Sequence, residues 1–80
     1  MSNLEKYNNV FIETFKINES ELANLKYQDI PAWDSVGHMG LVAALEDAFD
    51  IMLDTTDIID LSSYAKGKEI LSKPDYGVEF

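Results

Sequence analysis

The sequence predicts an all-α fold, a four-helix bundle with three longer helices, one short helix and a long first loop. Apolar residues recur at helical spacing near the start of the chain and again, more clearly, between residues 35 and 49. Two shorter helical patterns follow, and no segment shows the alternation of a β-strand. Because 80 residues suffice for one thin core, we expect residues 1–80 to form a single domain.

The first helix is expected to run from Asn3 to Lys16, with Ser2 or Asn3 as its N-cap. Side chains three or four positions apart share one face of a helix. That spacing predicts an apolar stripe in the core, formed by Leu4, Tyr7, Phe11 and Phe15.

A long connection from Ile17 to Trp33 follows the first helix. One short turn of helix is expected near Ser20, and Pro31 ends any regular element. Loops of this length in a compact domain are often functional. Five apolar side chains should anchor this loop to the core: Leu22, Leu25, Tyr27, Ile30 and Trp33.

The second helix is the clearest and should run from Asp34 or Ser35 to Phe49. Asp34 is a suitable N-cap because its carboxylate can accept hydrogen bonds from the free backbone N–H groups of the first turn. One face of this helix is apolar and should pack in the core: Leu41, Val42, Leu45, Ala48 and Phe49. A second strip is small and apolar with an acidic end: Val36, Met39, Gly40, Ala43 and Asp47.

A short third helix, capped by Thr55 or Thr56, should turn three apolar side chains inward: Ile58, Ile59 and Leu61. The same segment carries three acidic residues at a spacing of three: Asp54, Asp57 and Asp60. A calcium-binding EF-hand loop needs a different spacing, a central glycine and a final glutamate. No dedicated metal site is therefore expected.

The last helix should begin at Ser62 or Ser63 and end near Lys73, where Pro74 stops it. Gly67 lies inside this helix and is expected to weaken it by up to about 1 kcal/mol relative to alanine. The following residues, 75–80, are expected to form a loose tail.

The chain carries 15 acidic residues against 6 lysines, a formal net charge of −9. Between Lys26 and Lys66 there are eight carboxylates and no lysine. Nucleic acids and anionic membranes attract basic surfaces, so neither is an expected partner. The acidic stretch is either a solvated surface or a means of attracting basic partner proteins. With no signal-like start and no apolar run of about 20 residues, a cytoplasmic protein is expected. We also expect it to be a monomer.

Ser35 and His38 share a helix face and raise the possibility of a Ser–His hydrolase. The surrounding sequence lacks the first glycine of the G-x-S-x-G motif, and no strand precedes it. We therefore expect no catalytic residue in this chain, and we interpret His38 as a half-buried helix residue. Ser35 is also a candidate for modification, because free N–H groups at a helix start favour an attached phosphate. Serines are common at helix starts, so its position alone favours an ordinary helix cap or another plain polar residue.

The segment from Trp33 to Ile51 resembles acyl carrier proteins. The family pattern of Asp-Ser-Leu, an apolar helix, Leu-Glu and Phe-x-Ile appears here as Asp34-Ser35-Val36, Leu45-Glu46 and Phe49-Asp50-Ile51. The resemblance implies that Ser35 carries 4′-phosphopantetheine, added from coenzyme A by a phosphopantetheinyl transferase, and that Asp34 helps this transferase hold magnesium. It further implies a partner-docking surface formed by Val36, Met39, Ala43, Glu46 and Asp47.

A carrier of this type holds acyl groups as thioesters and delivers them to enzymes of fatty acid, polyketide or related biosynthesis. The implied partners include an acyl-loading ligase or acyltransferase and biosynthetic enzymes with basic docking patches. The resemblance also implies a core that can shelter an acyl chain. The chain departs from the family pattern at Val36, which replaces leucine, at Met52, where an acid is common, and at Gly37, His38 and Gly40. These departures leave open a carrier for aminoacyl or D-alanyl groups loaded by an adenylating ligase, and an interaction module without the arm.

Overall fold

The computed structural model describes residues 2–80 and contains four α-helices: α1 (Asn3–Phe15), α2 (Ser35–Phe49), α3 (Thr55–Asp60) and α4 (Tyr64–Leu71). A short 3₁₀ turn, Glu19–Glu21, lies in the long first loop. Residues 2–80 contain no strand, only one isolated antiparallel bridge between Lys26 and Ser63. The predicted all-α bundle, with three longer helices, one short helix and a long first loop, is confirmed. None of the described helices is both long and apolar enough to span a bilayer.

Helix α1 begins at a capping box that identifies Ser2, rather than Asn3, as the N-cap. The Glu5 N–H donates to Ser2 Oγ (3.1 Å), and the Ser2 N–H donates to the Glu5 carboxylate (3.2 Å). The helix ends at Phe15, because Lys16 takes up a left-handed conformation with φ of 58°. The buried face consists of Tyr7, Val10, Phe11 and Phe15. Leu4, expected in the core, lies at the edge of this face and is 39% exposed.

The long loop is anchored mainly through Trp33, whose side chain is fully buried. Its ring stacks on Phe15 and meets the edge of Phe11, with centroid distances of 5.2 and 5.6 Å. Leu22 and Leu25 are buried as expected, whereas the other two expected anchors, Tyr27 and Ile30, are only partly covered. Two backbone hydrogen bonds of 2.9 Å tie the loop to the start of α4: Tyr27 N–H to Ser62 O and Tyr64 N–H to Leu25 O.

Helix α3 differs from expectation in its cap and in the face it buries. Asp54 occupies the N-cap position instead of Thr55 or Thr56. Leu61 is buried, but Ile59 is 74% exposed, and Asp57 points inward instead. The Asp57 carboxylate accepts hydrogen bonds of 2.6 Å from the Lys73 ammonium group and from the Tyr76 hydroxyl. A buried carboxylate is tolerated here because both of its oxygens are paired.

Helix α4 is capped by Ser63, whose hydroxyl accepts from the Lys66 N–H (3.0 Å), and it ends at Leu71, two residues before the expected Lys73. Gly67 allows α4 to pack closely on α1. A Cβ at this position would overlap the hydroxyl of Tyr7, which donates to the Tyr64 carbonyl at 2.5 Å. Gly67, which was expected only to weaken α4, is therefore required where α4 packs closely on α1.

Residues 75–80 do not form the expected loose tail. Val78 belongs to the core and is 7% exposed, and its N–H donates to Leu71 O (3.0 Å). The Phe80 ring meets those of Tyr7 and Phe49, with centroids 5.2 and 6.3 Å away. Helices α1, α2 and α4 and this tail thus share one core.

Candidate functional site at the start of helix α2

Ser35 is the first residue of α2, and its side chain is exposed. Asp34, not Ser35, caps the helix: its Oδ1 accepts from the Gly37 N–H at 2.8 Å. None of the hydrogen bonds found among residues 2–80 involves the Ser35 hydroxyl. Ser35 is therefore not the helix cap, and its hydroxyl lies exposed at the helix start, as the readings of a modification site and of an ordinary polar residue both predict.

Gly37 is needed because the loop before α2 passes close to the first helical turn. A Cβ at position 37 would overlap the backbone carbonyl of Ala32. A carbonyl in the main chain cannot swing away as a flexible side chain can, so any larger residue would displace the loop that leads into Ser35. Gly40, one turn later, has nothing within 4 Å of its Cβ position. No packing contact explains the glycine at position 40.

His38 is half-buried, as expected, and both of its ring nitrogens are hydrogen-bonded. Trp33 Nε1 donates to His38 Nδ1 at 3.0 Å, and His38 Nε2 lies 2.7 Å from the carbonyl oxygen of Ile58. An indole nitrogen only donates, so Nδ1 must accept, and Nε2–H must donate to Ile58. The imidazole is therefore the neutral Nε2–H tautomer, with no ring nitrogen left to activate Ser35.

The His38–Ile58 hydrogen bond also completes the end of α3. The last carbonyls of a helix have no partner within it, and a six-residue helix such as α3 consists largely of such ends. His38 supplies a donor for one of these carbonyls. A single imidazole thus connects α2, α3 and, through Trp33, the long loop.

An apolar groove opens directly beside Ser35, with a volume of about 410 Å³. Helix α2 contributes Ser35, His38 and Met39, and α3 contributes Ile58 and Ile59. Three residues outside these helices complete the lining: Tyr27, Leu61 and Ser62. We call this cavity the Ser35 groove. A group attached to Ser35 would have apolar side chains within immediate reach.

Four of the five docking residues expected from the family resemblance lie exposed on α2: Val36, Met39, Ala43 and Asp47. Val36 is 79% and Met39 54% exposed, an unusual degree for apolar side chains that lie next to each other on a helix. Glu46 differs, because it is half-buried and its carboxylate accepts from the Leu53 N–H at 2.9 Å. Its charge secures the turn between α2 and α3, so we leave it out of the candidate docking surface.

Asp57 and Lys73 form the one ion pair found among residues 2–80, and the Tyr76 hydroxyl joins it. Hydrogen bonds from Lys73 and Tyr76 hold the pKa of Asp57 below its ordinary value, and the bond to Asp57 raises the pKa of Lys73. This cluster joins α3 to the tail and lies outside the Ser35 groove. Within residues 2–80 no three acidic or histidine side chains converge as metal ligands would.

The sequence located Ser35 and Asp34 correctly at the helix start but did not reveal the groove or the role of His38. These depend on Ile58, twenty residues away along the chain. The only local signal was an indole five residues before an imidazole at a helix start. That spacing places a ring donor near a ring acceptor but does not identify the second partner.

The chain matches no protein-family model, no curated protein and no solved structure. Its function is therefore argued from the residues and geometry at the start of α2.

Proposed function

We propose that the protein is an acyl carrier that holds acyl groups as thioesters on a 4′-phosphopantetheine arm attached to Ser35. The observation that carries this proposal is that the helix cap and the candidate attachment point are two different residues, Asp34 and Ser35. Asp34 caps the helix through its bond to the Gly37 N–H, and the adjacent Ser35 hydroxyl is left exposed. If one side chain served both as the cap and as the attachment point, modification would disturb the hydrogen bond that caps the helix. Here Asp34 makes that bond, so Ser35 can be modified without losing it.

The residues around Ser35 fit a phosphate ester. The free N–H groups and the dipole of the first turn of α2 favour an anion at this end of the helix. The Asp34 carboxylate shares that end and would repel the phosphate once it is attached. The same carboxylate can help a transferase hold a magnesium ion, which neutralises both charges during the transfer.

The arm supplies a thiol that forms the thioester, and the chain itself provides three things. It holds Ser35 at an exposed position at the start of α2, it places an apolar groove beside the attachment point, and it offers an exposed surface for enzymes. We assign that surface to Val36, Met39, Ala43 and Asp47 on α2. Their side chains repeat every three or four positions and so share one helix face.

We expect charge to speed the encounter with a partner and apolar contact to stabilise the complex. Six of the eight carboxylates between Lys26 and Lys66 are exposed, and these favour encounter with the basic patches expected on a transferase, a loading ligase or acyltransferase, and later biosynthetic enzymes. The apolar side chains of Val36 and Met39 can then be buried in the complex. At 0.1 M ionic strength, exposed charges are largely screened beyond about 10 Å. Such an interface should therefore form faster at lower salt, where the attraction reaches further.

Intact-protein mass spectrometry tests this proposal. The purified protein is incubated with coenzyme A, magnesium and a promiscuous phosphopantetheinyl transferase, and we expect a mass gain of one phosphopantetheine group. Ser35→Ala should abolish the gain, whereas Ser20→Ala, which removes an exposed hydroxyl from the first loop, should not. An unchanged mass in the folded wild-type protein, or a gain that survives Ser35→Ala, would contradict the proposal. The first of these results would favour an interaction module without the arm.

A further inference from the structure

We propose that Tyr76 and Lys73 are positioning residues for the Ser35 site: they hold α3, and with it the wall of the Ser35 groove that α3 supplies. Neither residue lines the groove itself. These contacts do not depend on an arm at Ser35, and only their effect on a partner enzyme rests on the proposed carrier function. The segment that follows α4 thus acts on the site through α3.

Helix α3 has few means of holding its own position. It is six residues long, and its N-cap residue, Asp54, makes no side-chain capping bond. The end groups of a helix have no backbone partner within it, and a helix this short is unstable in water by itself. Contacts from other elements must therefore hold α3 in place.

The segment after α4 supplies the contacts at the start of α3. The Tyr76 hydroxyl accepts from the Asp54 N–H at 2.9 Å and donates to Asp57 Oδ2 at 2.6 Å, so one oxygen binds both the cap residue and the first turn. The Lys73 ammonium group donates to Asp57 Oδ1 at 2.6 Å. Any shift of α3 away from this segment breaks these bonds, and hydrogen bonds to a carboxylate are among the stronger ones in proteins.

Residues 73–78, which we call the C-terminal strap, are themselves fixed to the rest of the fold. The Val78 side chain is buried in the core, and its N–H donates to Leu71 O at the end of α4 (3.0 Å). Within the strap, the Tyr76 N–H donates to Lys73 O at 3.0 Å and closes a turn. The strap therefore gives its side chains a fixed base from which to hold α3.

Helix α3 carries this restraint to the Ser35 groove. Ile58 and Ile59 follow Asp57 directly in the helix, and both line the groove. Towards its other end, α3 is held by the bond from His38 Nε2–H to Ile58 O. Because α3 is held by the strap at its start and by α2 towards its end, release of either contact should displace the groove wall.

Amide hydrogen exchange of the ¹⁵N-labelled protein, with no arm attached, tests whether the strap holds α3. Tyr76→Phe keeps the ring and removes the hydroxyl that binds Asp54 and Asp57. Tyr64→Phe is the matched control, because it removes a hydroxyl that binds Asn8 and so joins α4 to α1. Both variants should weaken the fold as a whole, but only Tyr76→Phe removes bonds that α3 must break when it opens by itself.

The wild type gives the first result. The Ile58 N–H donates to Asp54 O, and the Leu61 N–H donates to Asp57 O, so these two amides report the opening of α3. We expect both to exchange faster than the Phe11 amide in α1, because α3 opens without the rest of the fold.

In Tyr76→Phe we expect both α3 amides to exchange about tenfold faster, since a hydrogen bond to a charged group is lost. Lys73→Met removes the other donor to the same carboxylate and should have a similar effect, whereas Tyr64→Phe should leave the exchange of α3 unchanged. The methyl signals of Met39 and Ile59, which line the groove, should shift in the first two variants and not in the third.

Transfer of phosphopantetheine to Ser35 measures the effect on a partner enzyme. Ile59 is 74% exposed and lines the same groove as Ser35, so an enzyme that reaches the serine hydroxyl also meets α3. In Tyr76→Phe we expect a higher KM and an unchanged kcat, because α3 is displaced while Asp34 and Ser35 stay in place at the start of α2. Tyr64→Phe should change neither constant.

Equal acceleration of the α3 amides in Tyr76→Phe and Tyr64→Phe, or wild-type exchange in Tyr76→Phe, would overturn the inference. So would α3 amides that exchange as slowly as the Phe11 amide in the wild type, a measurement that needs no variant. Faster exchange with unchanged methyl signals and an unchanged KM would overturn the positioning role. If Ser35 is never modified, the carrier function fails, while the exchange rates and methyl signals still decide the role of the strap.

Discussion

Gly67 lies directly against the hydroxyl of Tyr7, so close that a Cβ at position 67 would overlap Tyr7 Oη. The same hydroxyl donates a buried hydrogen bond to the Tyr64 carbonyl. The contact between α1 and α4 therefore depends on a glycine that lies inside a helix, where glycine is otherwise unfavourable.

We expect Gly67→Ala to lower the free energy of unfolding by about 1–3 kcal/mol, since the added methyl group must displace Tyr7 or Leu61, whose Cδ1 would lie 2.9 Å away. Gly40→Ala is the matched control. It adds the same methyl group to a helix at an open position and should stabilise the protein by about 0.5–1 kcal/mol. Urea denaturation followed by Trp33 fluorescence measures both. Equal effects of the two substitutions would contradict the packing role of Gly67.

Tyr7→Phe should reduce the cost of Gly67→Ala, because it removes the atom with which the new methyl group collides. A double-mutant cycle on these two residues should give a coupling energy of about 0.5–3 kcal/mol. Additive effects would show that Leu61, or the helix backbone, is the true obstacle.

Asp34→Ala should destabilise the protein by about 0.5–2 kcal/mol, because the Gly37 N–H loses its acceptor at the start of α2. Asp34→Asn keeps a side-chain oxygen for the cap and should cost much less, yet it lacks the carboxylate expected to help hold magnesium. Both variants should therefore be modified more slowly by the transferase, while only Asp34→Ala melts at a lower temperature. If Asp34→Asn is modified as fast as the wild type, the Asp34 carboxylate has no role in transferase recognition.

The Asp57–Lys73–Tyr76 cluster predicts a specific loss of stability in acid. The pKa of Asp57 is held below its ordinary value near 3.8, mainly by the hydrogen bond from Lys73 and then by that from Tyr76. The folded state thus favours the ionised form. Its contribution is complete above the unfolded-state pKa and is lost as the pH falls through the lower folded-state pKa.

Thermal unfolding between pH 2 and pH 7 measures this effect. Asp57→Asn should be less stable than the wild type at neutral pH, and the difference should shrink as the pH falls below about 4. Asp75→Asn, which neutralises an exposed carboxylate in the same region, provides the control and should leave the acid dependence nearly unchanged. A constant difference between Asp57→Asn and the wild type at every pH would contradict the assignment.

Charge on the exposed face of α2 should affect docking more than the same charge elsewhere. We expect Asp47→Lys to lower kcat/KM for modification of Ser35 and to reduce its dependence on ionic strength, because opposite charges steer encounter. Glu69→Lys makes the same charge change on an exposed position of α4 and should have a smaller effect. Steady-state kinetics at several salt concentrations compares the two variants. Equal losses would mean that net charge, and not this face, governs the encounter.

The helices could be read from the sequence because their causes are local. Apolar side chains at helical spacing predicted α1 and α2, and capping residues such as Ser2 and Asp34 marked their starts to within one residue. Prediction failed where a residue's environment is set by distant partners. Asp57 is buried because Lys73 and Tyr76 reach it, and Val78 is ordered because it pairs with Leu71.

At the candidate site, the sequence by itself determined that an exposed serine follows an aspartate at the start of a helix. Those positions depend on periodicity and capping within a single turn. Only the tertiary structure decided that Asp34 alone serves as the cap and that a groove lies beside Ser35. It also showed that position 37 must be glycine, because a Cβ there would overlap the backbone carbonyl of Ala32. The same holds for His38, whose two hydrogen bonds exist because folding brings Trp33 and Ile58 to opposite nitrogens of one ring.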